Sequence, residues 1–345
     1  MRAAPLECAH GRGEGLTALP RPAPVPVLAL DRVTKRFAGH VAVDDLSLTV
    51  PRGAIYGLLG PNGAGKTTTI RMILDILPPD AGTVRLFGAA GGGRLHASRI
   101  GYLPEERGLY RRMRVLDVIV FLAEMKGVAR RSARARAIEW LERLGLGAWG
   151  RRRVDELSKG MQQKVQFITT VLHEPELVVL DEPFAGLDPV NAQAIKDAVL
   201  ALTRGGATVL LSTHIMEQAE KLCDALCIIA RGRKLVEGPV GEIKRTHGGH
   251  HVVVGFDGST GAAREVFADR RLVRAVDDYG RYAELELAAG ADPQQILTRL
   301  VSSGARLSRF ELREPSLNTI FLDLVGPERP PPEPRAGARL GSGDA

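Results

Sequence analysis

Long apolar runs are missing from this chain of 345 residues. No stretch approaches the roughly 18 consecutive apolar residues that a membrane-spanning helix needs, so the chain itself is not expected to cross a bilayer. Cysteine is scarce: Cys8, Cys223 and Cys227 are the only three, without a Cys-x-x-Cys pair, which argues against a disulfide framework and against a zinc site. Cys223 and Cys227 fall near a helix-to-strand junction and read as small buried apolar residues, so a cytosolic setting follows. Residues 1–26 lack the apolar core of a signal peptide and are rich in Pro, Gly and Ala; they are expected to form a disordered tail. The Pro-, Gly- and Arg-rich segment 326–345 carries the same expectation.

What is present is the composition of a soluble globular protein, 44% hydrophobic and 25% charged, long enough for one large or two ordinary domains. The net charge of +7 is unevenly placed, because between Arg94 and Arg153 fifteen Lys or Arg oppose six Asp or Glu. Such a surplus suits an anionic neighbour, membrane headgroups or nucleic acid, and equally a solvated Arg-rich helical face.

The stretch Gly60-Pro61-Asn62-Gly63-Ala64-Gly65-Lys66-Thr67-Thr68 organises the rest. It follows the apolar run Ile55–Leu59, read as a buried strand, and precedes Ile70–Leu74, which has helical spacing. Strand, glycine-rich turn and helix N-terminus together form the setting of a phosphate-binding loop. Glycine lets successive N–H groups turn inward toward phosphate oxygens, and the helix dipole adds positive potential there. Lys66 then reaches the β- and γ-phosphates and the Thr67 hydroxyl binds Mg²⁺, so a nucleoside triphosphate is the expected ligand.

Before that loop, residues 28–33, 41–43 and 46–50 alternate as antiparallel strands turning through Ala38-Gly39-His40. Phe37 precedes the turn, where an aromatic can stack on a base or simply fill a hairpin. After it come a turn at Pro78–Gly82, a strand to Phe87, a flexible glycine loop at 91–93, and a short strand, Ile100–Leu103, ending at Pro104-Glu105-Glu106. Apolar positions from Val115 to Leu144 recur at helical spacing, which predicts an all-helical subdomain interrupting the sheet. Ser158 reads as the N-cap of a helix whose buried face includes Val165, Ile168 and Leu172. Leu177–Leu180 reads as a central parallel strand ending in Asp181 and Glu182, and ligands sit at the carboxyl ends of such strands. A further strand closes on Ser212-Thr213-His214, where the histidine either donates to a γ-phosphate oxygen or caps the next helix. The segment His247–His251 reads as a boundary turn rather than a metal site, since no carboxylate or cysteine completes a ligand set. Beyond it the order β-α-β-β-α-β predicts a ferredoxin-like unit, followed by a helix from Ser316 to Leu324.

In this order, the Gly60–Thr68 loop, Leu157-Ser158-Lys159-Gly160-Met161-Gln162, the Leu177–Glu182 strand, Gly186-Leu187-Asp188 and His214 resemble the ATP-binding subunit of an ABC (ATP-binding cassette) transporter. The C-terminal unit, with Glu314-Pro315-Ser316-Leu317 leading into Phe321, resembles the accessory domain of single-cassette bacterial ATPases of the sodium- and drug-efflux type. The resemblance implies an α/β fold: a P-loop NTPase cassette over 27–245, with a mixed sheet core, an antiparallel β subdomain and an α-helical subdomain near 106–160, then a ferredoxin-like α+β domain over 250–325. It implies an ATPase that binds ATP and Mg²⁺ and pairs head to tail with a second copy or a paralogous cassette. By the same resemblance Phe37 stacks on adenine, residues 60–68 hold the phosphates, Thr67, Asp181 and Glu105 hold the metal, Glu182 is the general base and His214 meets the γ-phosphate. Ser158 and Gly160 complete the partner's site, and Asp188 links the two sites.

Three positions depart from the family pattern: Glu105 stands where glutamine is usual, and Lys159 and Met161 replace glycine and glutamine in the signature. Since Ser158 and Gly160 remain, activity is expected. The implied partner is an integral membrane permease that holds this cytoplasmic chain at the inner face of the cell membrane, with export as the direction and no nucleic acid. The rival is a soluble cassette ATPase acting on ribosomes or DNA, but the chain has one cassette and no heptad run of a long coiled coil. A purely regulatory ATP switch is opposed by Glu182.

Overall fold

A computed structural model describes residues 25–106, 108–247, 251–258, 260–288, 290–313 and 315–325. The tails expected over 1–26 and 326–345 fall outside these residues except for positions 25 and 26, as do His250 and Glu314.

In chain order, β1 (Leu28–Phe37) and β2 (His40–Val50) form a hairpin, and β3 (Ile55–Leu59) runs through the glycine-rich loop into α1 (Lys66–Ile73). Strands β4 (Ala81–Leu86), β5 (Ala89–Ala90) and β6 (Ile100–Leu103) precede the helices α2 (Val115–Met125), α3 (Arg130–Arg143) and α4 (Lys159–Val171). Then come β7 (Leu177–Asp181), α5 (Pro189–Arg204), β8 (Thr208–Thr213), α6 (Met216–Leu222), β9 (Ala225–Ala230), β10 (Arg233–Pro239) and α7 (Val240–His247). The remainder is β11 (His251–Phe256), α8 (Arg264–Ala268), β12 (Val273–Asp278), β13 (Tyr282–Leu287), α9 (Pro293–Ser302), β14 (Leu307–Arg313) and α10 (Leu317–Val325).

The central sheet has the order β10-β9-β3-β8-β7-β6, parallel except for the terminal β10. Strands β3, β7 and β9 are near-continuous apolar runs because both faces are covered. Successive side chains on a strand face opposite ways. Thus Ile55, Val178, Leu180, Val209 and Leu211 enter one core with α2 to α6, while Tyr56, Leu58, Val179 and Leu210 enter a second with α1 and the β2-β1-β4-β5 sheet. Each such side chain contributes about 1.5–3 kcal/mol by leaving water. The effect is to fix the carboxyl ends of β3, β6, β7 and β8 along one rim, where the loop, Glu105, Asp181-Glu182 and His214 emerge.

The third sheet is antiparallel in the order β12-β13-β11-β14 and carries its own core with α8 and α9, the ferredoxin-like arrangement expected from the sequence. Helix α10 does not join that core. Leu317 and Ile320 are fully buried in the cluster that holds α6 and α7, and the Leu317 N–H donates to Glu220 Oε2 at 3.1 Å. The glycines at 91–93 are more closely held than a flexible loop: Gly93 is buried and opens a 3-10 turn, and a Cβ on Gly92 would lie 2.4 Å from that of Asp75.

Candidate active site

The glycine-rich loop is shaped by close approaches that only glycine permits. A Cβ at Gly60 would stand 2.2 Å from the Ile229 carbonyl oxygen, and one at Gly65 2.5 Å from that of Ala42, where φ is +105°. Helix α1 starts at Lys66 with no side-chain cap on its first turn and no acidic residue there. Its first N–H groups are therefore free donors at the positive end of the helix dipole, the arrangement that receives phosphate.

Lys66 is buried, and its Nζ donates to the carbonyls of Gly60 at 2.8 Å and Pro61 at 3.2 Å while standing 3.5 Å from Glu182 Oε1. Glu182 is also buried and accepts a contact from His214 Nδ1 at 2.8 Å through the same oxygen. Its backbone is left-handed, with φ of +48°, which a non-glycine residue adopts only when its surroundings impose it. Here the Glu182 N–H donates to the Ser212 carbonyl and its own carbonyl accepts from Ala185 N, so β8 and the following turn hold the strained residue.

Asp181, the last residue of β7, has no exposed surface. Ser212 Oγ donates to its Oδ1 at 2.8 Å, whereas Oδ2 is buried without a partner. Burial pushes the Asp181 carboxyl above its ordinary range, and the Ser212 hydrogen bond opposes the shift. An unpaired buried carboxylate oxygen beside the Thr67 hydroxyl is a hard-oxygen donor set that fits Mg²⁺, which takes few protein ligands and keeps water or phosphate in the rest of its octahedron. Among the described residues there is no group of three or more His, Cys, Asp or Glu that could hold a metal ion.

A cleft of about 450 Å³ opens above these groups, lined by Phe37, Asn62, Gly63, Ala64, Gly65, Lys66, Thr67, Thr68, Glu105 and Glu182, with His40 and Ala42 from the hairpin. Phe37 is 48% exposed on the lip, so it is available for stacking rather than buried in the hairpin. Gly60 and Pro61 act through the carbonyls that hold Lys66, and Asp181 lies behind the wall. His214 is half exposed beside Glu182.

Ser158, Gly160 and Asp188 are not among the residues that line this cleft. Ser158 caps α4, its Oγ accepting from Met161 N at 3.3 Å. Asp188 caps α5 by accepting from Asn191 N at 3.0 Å, and that N–H holds the Asp188 carboxyl below the usual carboxylate range. Sequence reasoning missed Ser212, which orients Asp181; its only signal was a hydroxyl closing an apolar strand beside His214. His40 and Ala42 had no signal, since they reach the cleft only through the hairpin's pairing.

Two family models match the chain: one described as ABC transporter over residues 43–185, and one described as ATP-binding protein DrrA1-3-like, C-terminal domain, over 238–325. Among similar proteins is the uncharacterized ABC transporter ATP-binding protein YhaQ of Bacillus subtilis, 43% identical over 306 residues, covering 87% of this chain and 99% of that protein. The daunorubicin resistance ATP-binding protein DrrA3 of Streptomyces coeruleorubidus is 35% identical, covering 88% and 96% respectively. The Nod factor export ATP-binding protein I of Sinorhizobium fredii is 33% identical, covering 92% of each. A solved structure of the ATP-binding subunit of an ABC transporter superposes with a TM-score of 0.59 at 32% identity, over 64% of this chain and 92% of that one.

Proposed function

The chain belongs to the ABC transporter family as an ATP-binding subunit that hydrolyses ATP, and from that premise we propose that it drives a separate membrane permease as one half of a head-to-tail pair of cassettes. The observation that carries the reading is the division of the site. Lys66, Asp181, Glu182 and His214 gather at the phosphate loop, whereas Ser158, Gly160 and Asp188 stand outside the cleft, and we assign them to the site of a second copy or a paralogous cassette.

In that pair, Phe37 stacks on adenine and the N–H groups of residues 60–68 bind the phosphates together with Lys66. Thr67, Glu105 and Asp181 would hold Mg²⁺, which would offset charge on the phosphates. Binding phosphate draws Lys66 Nζ away from Glu182 toward the nucleotide, leaving Glu182 to orient and deprotonate the attacking water while His214 holds the γ-phosphate.

Export is supported by two relatives, one named for daunorubicin resistance and one for Nod factor export. No helix among the described residues is long and apolar enough to cross a membrane, so attachment to the inner face of the cell membrane runs through the permease, and no nucleic acid partner is invoked. The experiment is fractionation of cells with and without the permease that co-purifies with the chain. Retention in membranes only when the permease is present supports the reading; permease-independent co-sedimentation with ribosomes overturns it in favour of a soluble cassette.

A further inference from the structure

Strand β6 is an edge of the central sheet, so the backbone groups on its outer side have no strand to pair with. Helix α4 takes that place with side chains. His173 Nε2, just past its end, lies 3.1 Å from the Ile100 carbonyl; Thr170 Oγ1 donates to Tyr102 O at 3.2 Å; Gln166 Nε2 reaches Pro104 O at 3.5 Å and Glu106 O at 3.1 Å. These are alternate residues on one edge, and the last two carbonyls flank Glu105. The helix lies so close that a Cβ at Gly101 would be 2.2 Å from the Thr170 carbonyl oxygen.

Gln166 is 4% exposed, and both of its neighbours are acceptors, so its amide must present the NH₂ group to them. Its own Oε1 is buried without a partner. One helical turn earlier, Gln163, 3% exposed, donates through Nε2 to Pro183 O at 3.4 Å, the carbonyl next to Glu182. The same helix begins at the Ser158 cap.

We infer that Gln166 is a positioning residue that holds Glu105 at the cleft and ties its place to the helix carrying Ser158 and Gly160, with Gln163 making the corresponding tie to the Glu182 loop. The side chain touches neither nucleotide nor metal; it acts on the backbone either side of Glu105. A movement of Glu105 toward the nucleotide is thereby passed along α4 to the residues offered to the second cassette. The inference rests on the reading of Glu105 as a metal-site residue.

The test is steady-state ATP hydrolysis by full-length chain over a Mg²⁺ titration, paired with calorimetric Mg²⁺ binding in the presence of ATP, for Gln166→Met, Glu105→Ala, the double variant and Thr170→Val. Methionine keeps length and burial but cannot donate; Gln166→Leu, which likewise has no donor, serves if Gln166→Met does not fold. The expected result is a fall in kcat of about fivefold or more for Gln166→Met with KM for ATP little changed, and a raised Mg²⁺ half-saturation as in Glu105→Ala. The double variant should be no worse than Glu105→Ala within about twofold, since residues acting through one another are not additive. Thr170→Val, which removes a rung distant from Glu105, should leave the Mg²⁺ dependence unchanged. A defective Glu105→Ala beside a normal Gln166→Met, additive losses, or equal effects from Thr170→Val would overturn the inference alone. A normal Glu105→Ala would remove it together with the role assigned to Glu105.

Discussion

His214 Nδ1 stands 2.8 Å from the Glu182 oxygen that lies 3.5 Å from Lys66 Nζ. One buried carboxylate thus joins Lys66 of the β3–α1 loop to the histidine that follows β8. The left-handed backbone of Glu182 is what aims that side chain inward.

From this contact, His214→Ala should lower kcat by about 100-fold, within the usual span for a group that contacts the reacting phosphate or its base. ATP binding, measured by equilibrium titration with a fluorescent analogue, should change by less than about threefold, because Lys66 and the loop N–H groups remain. Equal losses in binding and turnover would show that His214 serves the ground state instead.

Asp181 carries a cost in the nucleotide-free protein, as its Oδ2 is buried without a partner and its carboxyl is shifted upward by burial. A carboxyl raised in the folded state stabilises fully below its unfolded value of about 4 and loses that contribution as pH rises through the folded value. Asp181→Asn, which keeps an oxygen for Ser212, should therefore raise the nucleotide-free Tm at pH 7 by roughly 1 kcal/mol equivalent, with the advantage fading toward pH 4. The same variant should lose Mg²⁺-dependent turnover. A lower Tm at neutral pH would contradict the electrostatic reading of this buried acid.

Helix α10 should report on attachment of the chain's C-terminal end. Ile320 is 1% exposed in the core shared with α6 and α7. Ile320→Ala should cost about 2–4 kcal/mol in local stability, seen as faster hydrogen exchange in residues 317–325. Exchange across β11 to β14 should be unaltered, since that sheet has its own core. Uniform acceleration through both would mean that the two cores are one cooperative unit.

Much of the fold could be read from residue order because the informative segments are local. Leu177–Asp181 is apolar on both faces and therefore central, and the Gly60–Thr68 loop carries its own backbone requirement. The alternation of the last strands and helices similarly led to the four-stranded third sheet. What escaped depends on contacts between distant segments. Leu317 and Ile320 form an amphipathic stripe, and a stripe does not say which core it will enter. Gln163 and Gln166 carry no local signal, because the carbonyls that need them belong to loops 20 and 60 residues away. The glycines at 91–93 read as loose since nothing nearby in sequence reveals the approach of Asp75 to Gly92.

The central claim is that the cleft of one chain hydrolyses ATP only when Ser158 and Gly160 of another close over it. Light scattering of Glu182→Gln on size exclusion, with and without Mg²⁺-ATP, tests it most directly. The expected result is a monomer without nucleotide, a stable dimer with it, and no turnover; adding Ser158→Arg to the same variant should abolish the dimer while leaving ATP bound. Undiminished hydrolysis by Glu182→Gln, or a monomer at saturating ATP that turns over at the parent rate, would contradict it.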